Sequence, residues 1–160
     1  TGRTGRRLPR PQSPRPARRV SAITRQPCPN VTCVSLEGRG LMIEGPPGSG
    51  KSTLALMLID RGAVLVGDDG VELERRDGAI WAHPAPSIRG LLEIRGAGIV
   101  QMPVVSARLS LVLKLDSNAP RLPEVAQRIL DDIALPLIPF RTGDAAQALR
   151  AEHALRLHGV

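Results

Sequence analysis

The sequence has no tyrosine, one tryptophan, one phenylalanine and only two cysteines. Two aromatic rings in 160 residues leave almost nothing on which successive bases could stack. Cys28 and Cys33 do not have CxxC spacing and have no second pair or nearby histidine, so they make neither a disulfide framework nor a zinc site. No apolar run approaches the roughly 18 residues needed to cross a bilayer, and no secretory segment is recognisable. A cytoplasmic protein with no membrane partner is the default expectation.

Acidic residues are absent from residues 1–29, which hold eight arginines and repeated prolines. Fourteen basic and fifteen acidic residues remain beyond them, so the net charge of +7 and the pI near 11.1 belong to this leader alone. A stretch with so little apolar surface cannot offset its ordering entropy, and residues 1–29 read as a disordered leader. An arm for anionic surfaces or nucleic acid is the weaker reading, and the prolines argue against an amphipathic transit peptide. Residues 30–160 are long enough for one domain with a core.

That domain is organised around Gly45-Pro46-Pro47-Gly48-Ser49-Gly50-Lys51-Ser52. The pattern is G-x-x-x-x-G-K-[ST], a loop whose backbone N–H groups cradle phosphate oxygens. Lys51 is then placed for the β/γ-phosphates, and the Ser52 hydroxyl for Mg²⁺. Leu41-Met42-Ile43 reads as a strand into the loop, and Ser52-Thr53 opens a breaker-free run to Arg61 that Gly62 stops, a helix. The start of that helix adds free N–H groups and a favourable dipole to the anion site.

Val31 to Leu36 alternates and is followed by Glu37-Gly38-Arg39-Gly40, a hairpin into the strand at 41–43. Ala63-Val64-Leu65-Val66 reads as a short buried strand ending at Gly67-Asp68-Asp69-Gly70. Val71 to Glu74 and Ala79 to Ala82 make a further strand pair across Arg76-Asp77-Gly78, and His83-Pro84-Ala85-Pro86 reads as a loop with a surface histidine. Leu109 to Asp116 is the strongest later strand, Glu124 to Asp132 reads as a helix, and Ala145 to His158 has helical composition. Prolines within Ala134 to Phe140 suit an edge strand. The order is rich in hairpins, so a mixed α/β sheet with flanking helices is expected.

Phosphoryl transfer needs a metal carboxylate and a group to manage the proton of the nucleophile. Asp68 and Asp69 end a buried strand, and neighbours on an extended backbone point to opposite sides, so the two divide labour between acceptor and metal. An Asp-Asp-Gly turn is the plain alternative. Asp116, at the end of an apolar strand, is a rival on pattern alone. Glu93 lies among apolar neighbours, where a carboxylate is costly unless paired or on metal. Arg95-Gly96-Ala97-Gly98 is either an anion nest or a simple turn.

The strings Ile43-Glu44-Gly45 to Lys51-Ser52, Asp60 to Asp69, and Glu93-Ile94-Arg95-Gly96-Ala97-Gly98-Ile99 resemble HPr kinase/phosphorylase over roughly residues 30 to 140. The chain resembles more closely the short form that keeps only the C-terminal catalytic domain, and the E-I-R-G-x-G string is far more specific than the phosphate loop. The resemblance implies a phosphoenolpyruvate carboxykinase-like catalytic domain, a homo-oligomer (hexamers in the family) and ATP with Mg²⁺. It implies serine phosphorylation of an HPr-like phosphocarrier in the control of carbohydrate metabolism, with reversal by phosphorolysis. Carried over, Asp68 is the catalytic base, Asp69, Ser52 and Glu93 serve Mg²⁺, and Arg95 supports the active-site loop. Gly45, Pro46, Pro47, Gly48, Ser49, Gly50, Lys51, Ser52 and Thr53 hold the nucleotide, and Asp116 becomes structural.

Two departures accompany the likeness. Asn30 stands where members usually carry a histidine, and Asn cannot exchange a proton near neutral pH. In Phe140-Arg141-Thr142-Gly143-Asp144, Arg141 matches one arginine of a family loop needed for phosphorolysis, while Asp144 replaces the other. A small-molecule kinase and a non-catalytic nucleotide sensor are the alternative readings.

Overall fold

The computed structural model describes residues 24–160. Most of the arginine-rich leader therefore lies outside the described residues, but its last part does not. Arg25–Pro29 forms strand β1, which pairs antiparallel with β5 (Gly70–Arg76), so ordered structure begins upstream of Asn30.

The expected first hairpin is present as β2 (Thr32–Leu36) and β3 (Arg39–Glu44). Glu37 and Gly38 both have positive φ, the backbone twist that two-residue hairpin loops favour. β2 is buried along its whole length because it lies between β3 and β4 (Val64–Gly67) beneath helix α1 (Lys51–Asp60). β5 and β6 (Ala79–Pro84) form the next hairpin, and β7 (Leu91–Ile94) with β8 (Gly98–Gln101) forms a separate two-stranded sheet. A short 3₁₀ turn, Pro86–Ile88, links β6 to β7.

β9 (Ala107–Leu115) is the hub. It runs parallel to β3 and to the second half of β11 (Ile133–Phe140), and it pairs antiparallel with β6 at its start. The nine-stranded sheet is thus mixed, as the hairpin-rich order anticipates. Parallel strands β3, β9 and β11 end on the same edge, where ligands bind in open α/β sheets.

Side chains alternate between two layers. Leu41, Ile43, Leu111, Leu113 and Phe140 pack under α1 and α2 (Gln147–His158), while Met42, Val112, Val66, Ile80 and Leu135 form a second core on the opposite face. Both helices cover one face, and the curled sheet closes the other with its own β1, β5, β6 and β11.

Three local expectations are corrected. The segment read as a helix over 124–132 is strand β10 (Ala126–Leu130), because its backbone pairs with β11 across Asp131-Asp132, both left-handed. β11 is not an edge strand: its first half pairs with β10 and its second with β9. Pro136 lies before the β9 ladder begins at Leu137, and Pro139 lies beyond the last β10 partner, so each proline sits where only one side is paired. His83 is not a surface loop residue but a buried member of β6.

Candidate functional site

β3 delivers the chain to the glycine loop at the shared edge of the parallel strands. The loop is tight at its base. A Cβ on Gly45 would sit 2.6 Å from Ser49 Oγ and 3.0 Å from Leu115 Cβ. Gly50, the N-cap of α1, has φ +100, a conformation that favours glycine, and carries no side chain to cap the helix. With no acidic residue in the first turn, the N-terminal N–H groups of α1 lack a protein anion, as an anion site requires. Ser49 N–H donates to Pro46 O at 3.1 Å, and Ser49 Oγ is enclosed without a hydrogen-bond partner.

Lys51 folds back over this loop, its ammonium donating to Gly45 O at 2.7 Å and Pro46 O at 3.2 Å. The loop is further held from the far side of the chain. Thr142 Oγ1 donates to Ser49 O at 2.9 Å, a contact spanning 93 residues that no sequence pattern singled out.

The β2–β4 register sets Cys33 against Gly67, which carries Thr32 to Asp68. Asp68 is 8 % exposed, and its Oδ1 accepts from Thr32 Oγ1 at 2.9 Å and from Ser52 Oγ at 2.7 Å. The carboxylate from β4 and the hydroxyl from α1 are therefore one unit. Asp69 departs from it: φ is +58, and the residue is exposed. Its carbonyl accepts from the N–H of Asn30, itself left-handed at φ +63. The adjacent aspartates do divide, one inward and one outward, but only Asp68 touches Ser52.

The β7–β8 hairpin forms the opposing wall. Leu92 is fully buried against the helix-side core and anchors β7, leaving Glu93 exposed beside α1. Ala97 N–H donates to Ile94 O at 3.0 Å, so Arg95-Gly96 lies in a hydrogen-bonded turn. Gly48, Gly50, Lys51, Ser52, Thr53, Glu93 and Arg95 together line one cavity of about 200 Å³. Sequence positions 43 residues apart, Gly50 and Glu93, thus meet in the same small space.

Three flagged residues lie elsewhere. Arg141 donates to Ala119 O at 3.1 Å and lines a different cavity, between α2 and β11. Asp144 forms an exposed ion pair with Arg150 at 2.6 Å. Asp116 Oδ1 accepts from Asn118 N–H at 2.8 Å, an Asx turn ending β9, which fits its structural assignment. Cys33 is fully buried and burial pushes its thiol up, so it is no nucleophile.

The donor set near the loop suits a hard cation. Among the described residues no group of three or more His, Cys, Asp or Glu is assembled as a metal cage. Mg²⁺ does not ask for one: it takes one or two carboxylates and completes its shell with water and substrate phosphates. Ser52 and Glu93 supply oxygen donors of that kind in the cavity beside the loop.

Residues 23–108 match the sequence model of the HPr Serine kinase C-terminal domain. An HPr kinase/phosphorylase of Streptococcus thermophilus (strain ATCC BAA-491 / LMD-9) is 46 % identical over 70 residues, covering 43 % of this chain and 23 % of that one. An HPr kinase/phosphorylase of Geobacillus sp. (strain WCH70) is 38 % identical over 127 residues, covering 69 % of this chain and 41 % of that one. The chain thus spans about a quarter to two fifths of these relatives. The solved structure of the Hpr(Ser) kinase/phosphatase from Coxiella burnetii superimposes with a TM-score of 0.74 at 27 % identity, over 83 % of this chain and 95 % of that one. No helix among the described residues is long and apolar enough to cross a membrane. On the match over more than half of its length, with the curled mixed sheet and the glycine loop at its parallel edge, this chain belongs to the HPr serine kinase C-terminal domain family.

Proposed function

We propose that the chain transfers the γ-phosphoryl group of ATP to a serine hydroxyl of an HPr-like phosphocarrier protein. The observation that carries this reading is the Ser52–Asp68 hydrogen bond, 2.7 Å, beneath a cradle of unprotected N–H groups. The loop N–H groups and Lys51 bind and orient the phosphates. When bound, Mg²⁺ supplies charge neutralisation on the phosphate oxygens, with Ser52, Asp69 and Glu93 as its assigned protein donors. Asp69 is exposed on a left-handed backbone, and of the two aspartates it is Asp68 that hydrogen-bonds Ser52.

Asp68 Oδ1 is occupied by Thr32 and Ser52, which fixes the plane of the carboxylate. Its second oxygen is the base: it takes the proton of the acceptor serine as that oxygen attacks the γ-phosphorus. The bond from that phosphorus to the bridging oxygen breaks, and ADP leaves with the electron pair. Arg95, on the β7–β8 turn, stands over the cavity where negative charge develops.

Arg141 is assigned a role in the reverse reaction, phosphorolysis. Its guanidinium donates to Ala119 O, and Asp144, where the family carries a second arginine, pairs with Arg150. Homo-oligomer formation, a cytoplasmic location and control of carbohydrate metabolism belong to the same reading, and they rest on family membership alone.

Incubation with γ-labelled ATP, Mg²⁺ and purified HPr tests the proposal. Label on HPr that disappears when its acceptor serine is replaced is the expected result. Nucleotide binding without transfer would favour a sensor, and label on a small metabolite would favour a small-molecule kinase.

A further inference from the structure

The glycine-loop cavity can hold phosphates but has nothing to hold a nucleoside. Its lining is glycine, hydroxyl and charged side chains, with no apolar or aromatic wall, and at about 200 Å³ it is smaller than the roughly 300 Å³ at which ligand pockets begin. A second, larger cavity of about 630 Å³ lies between α2, the end of β11 and the segment 119–123. It has the complementary character. Ile138, Pro139, Phe140, Leu149, Ala154 and Leu157 line it.

The two cavities are neighbours across one residue. Thr142 holds the glycine loop through Ser49 O, and its Oγ1 lies 3.3 Å from where a Gly50 Cβ would stand. Arg141, the residue before it, lines the apolar cavity. β11 and β9 are parallel to β3, so their C-terminal ends bring Phe140 and Arg141 to the edge that carries the glycine loop. The cavity lined by Ala119, Phe140, Arg141 and Asp144 therefore reaches the ligand-binding edge of the sheet. Arg150 lies over the Phe140 ring, 4.5 Å from its centre, and its guanidinium is a planar cation on which an aromatic base can stack.

We propose that the nucleoside end of the triphosphate binds in the groove between α2 and β11, while its phosphates lie on the glycine loop. The inference rests on the nucleotide reading above. ATP and inorganic tripolyphosphate, compared by titration calorimetry with Mg²⁺ on the wild-type chain and on Leu149→Trp, separate the two. Leu149 is 43 % exposed on α2 and lines the groove, so a larger ring there fills it without entering the core. ATP should bind wild type about tenfold or more tightly than tripolyphosphate, and Leu149→Trp should abolish that advantage while leaving tripolyphosphate affinity unchanged. Leu149→Glu, which sets a carboxylate against the groove at the same exposed position, should act in the same direction and covers the case of a poorly folding tryptophan variant.

Equal affinities for the two ligands in wild type, or an ATP advantage that survives both substitutions, would overturn the nucleoside site alone. Failure of wild type to bind tripolyphosphate would instead remove the phosphate cradle, and this inference with it.

Discussion

Ser52 Oγ donates to Asp68 Oδ1 at 2.7 Å, joining the first turn of α1 to the end of β4. β2, paired with β4, lends Thr32 as the second donor to the same oxygen. A carboxylate held by two hydroxyl groups is oriented before any substrate arrives, which is what positioned acid–base chemistry requires.

Asp68→Asn keeps an oxygen that can accept from Thr32 and Ser52 but removes the base. Transfer to HPr should fall by about 10² to 10⁴, the usual contribution of a positioned general base, while ATP affinity changes little. Parallel loss of transfer and affinity would place Asp68 in binding rather than in chemistry.

Lys51 caps two loop carbonyls with its ammonium. Lys51→Ala removes a charged donor, and hydrogen bonds to charged groups are worth about 1.5–3 kcal/mol. ATP should therefore bind about tenfold to a hundredfold more weakly by calorimetry. An unaltered dissociation constant would show that this lysine never meets phosphate.

How much of this could be read from the chain depends on whether an element is specified locally. The glycine loop, its helix and the Glu37-Gly38 hairpin carry their own turn chemistry, so their positions follow from residue type and spacing. β10 does not: Ala126–Leu130 has helical composition and becomes a strand because β11 offers a ladder. The signal that was there is Asp131-Asp132, two residues that tolerate the left-handed backbone of a tight hairpin. Side-chain partners across long separations were illegible. Thr142 reaching Ser49 across 93 residues depends on strand order, which only the folded sheet supplies. Family likeness favours Asp68 and Asp69 over Asp116, and the fold adds what it could not, that of the two aspartates it is Asp68 that hydrogen-bonds Ser52.

Thr142→Val removes the hydroxyl that holds Ser49 O and keeps the volume. The loss of one hydrogen bond costs about 1 kcal/mol of stability, roughly 2–4 °C of melting temperature, and ATP affinity should fall as well because the loop is no longer held in its binding shape. The same loss for tripolyphosphate would assign the effect to the loop, and no loss for either ligand would make the contact incidental.

Glu152 on α2 accepts from Arg61 at the end of α1, at 2.7 and 3.2 Å, and this guanidinium holds its carboxyl below the usual range. A depressed folded-state value means the pair stabilises the fold above the ordinary glutamate range and loses that contribution as pH falls through the depressed value. Glu152→Gln should cost about 1 kcal/mol at neutral pH in chemical denaturation. The gap to wild type should close progressively below about pH 4, and a gap constant with pH would assign the effect to packing.

Glu74 and His83 are both buried, at 3 % and 4 % exposure, and meet at 2.6 Å through His83 Nε2, while His83 Nδ1 meets Ser106 Oγ at 2.6 Å. Neither residue is within the cavity that holds Lys51 and Glu93, so the trio is a structural brace joining β5, β6 and the start of β9. Glu74→Ala leaves a buried ring nitrogen without its partner, and such an orphan costs about 1–3 kcal/mol. For a domain of this size that is roughly 2–4 °C of melting temperature per kcal/mol. The double variant Glu74→Ala/His83→Ala should lose less than the sum of the two single variants, because the second substitution removes a group already unpaired. ATP affinity should be unchanged in all three. A strictly additive loss would mean that the two side chains, though in contact, do not depend on one another.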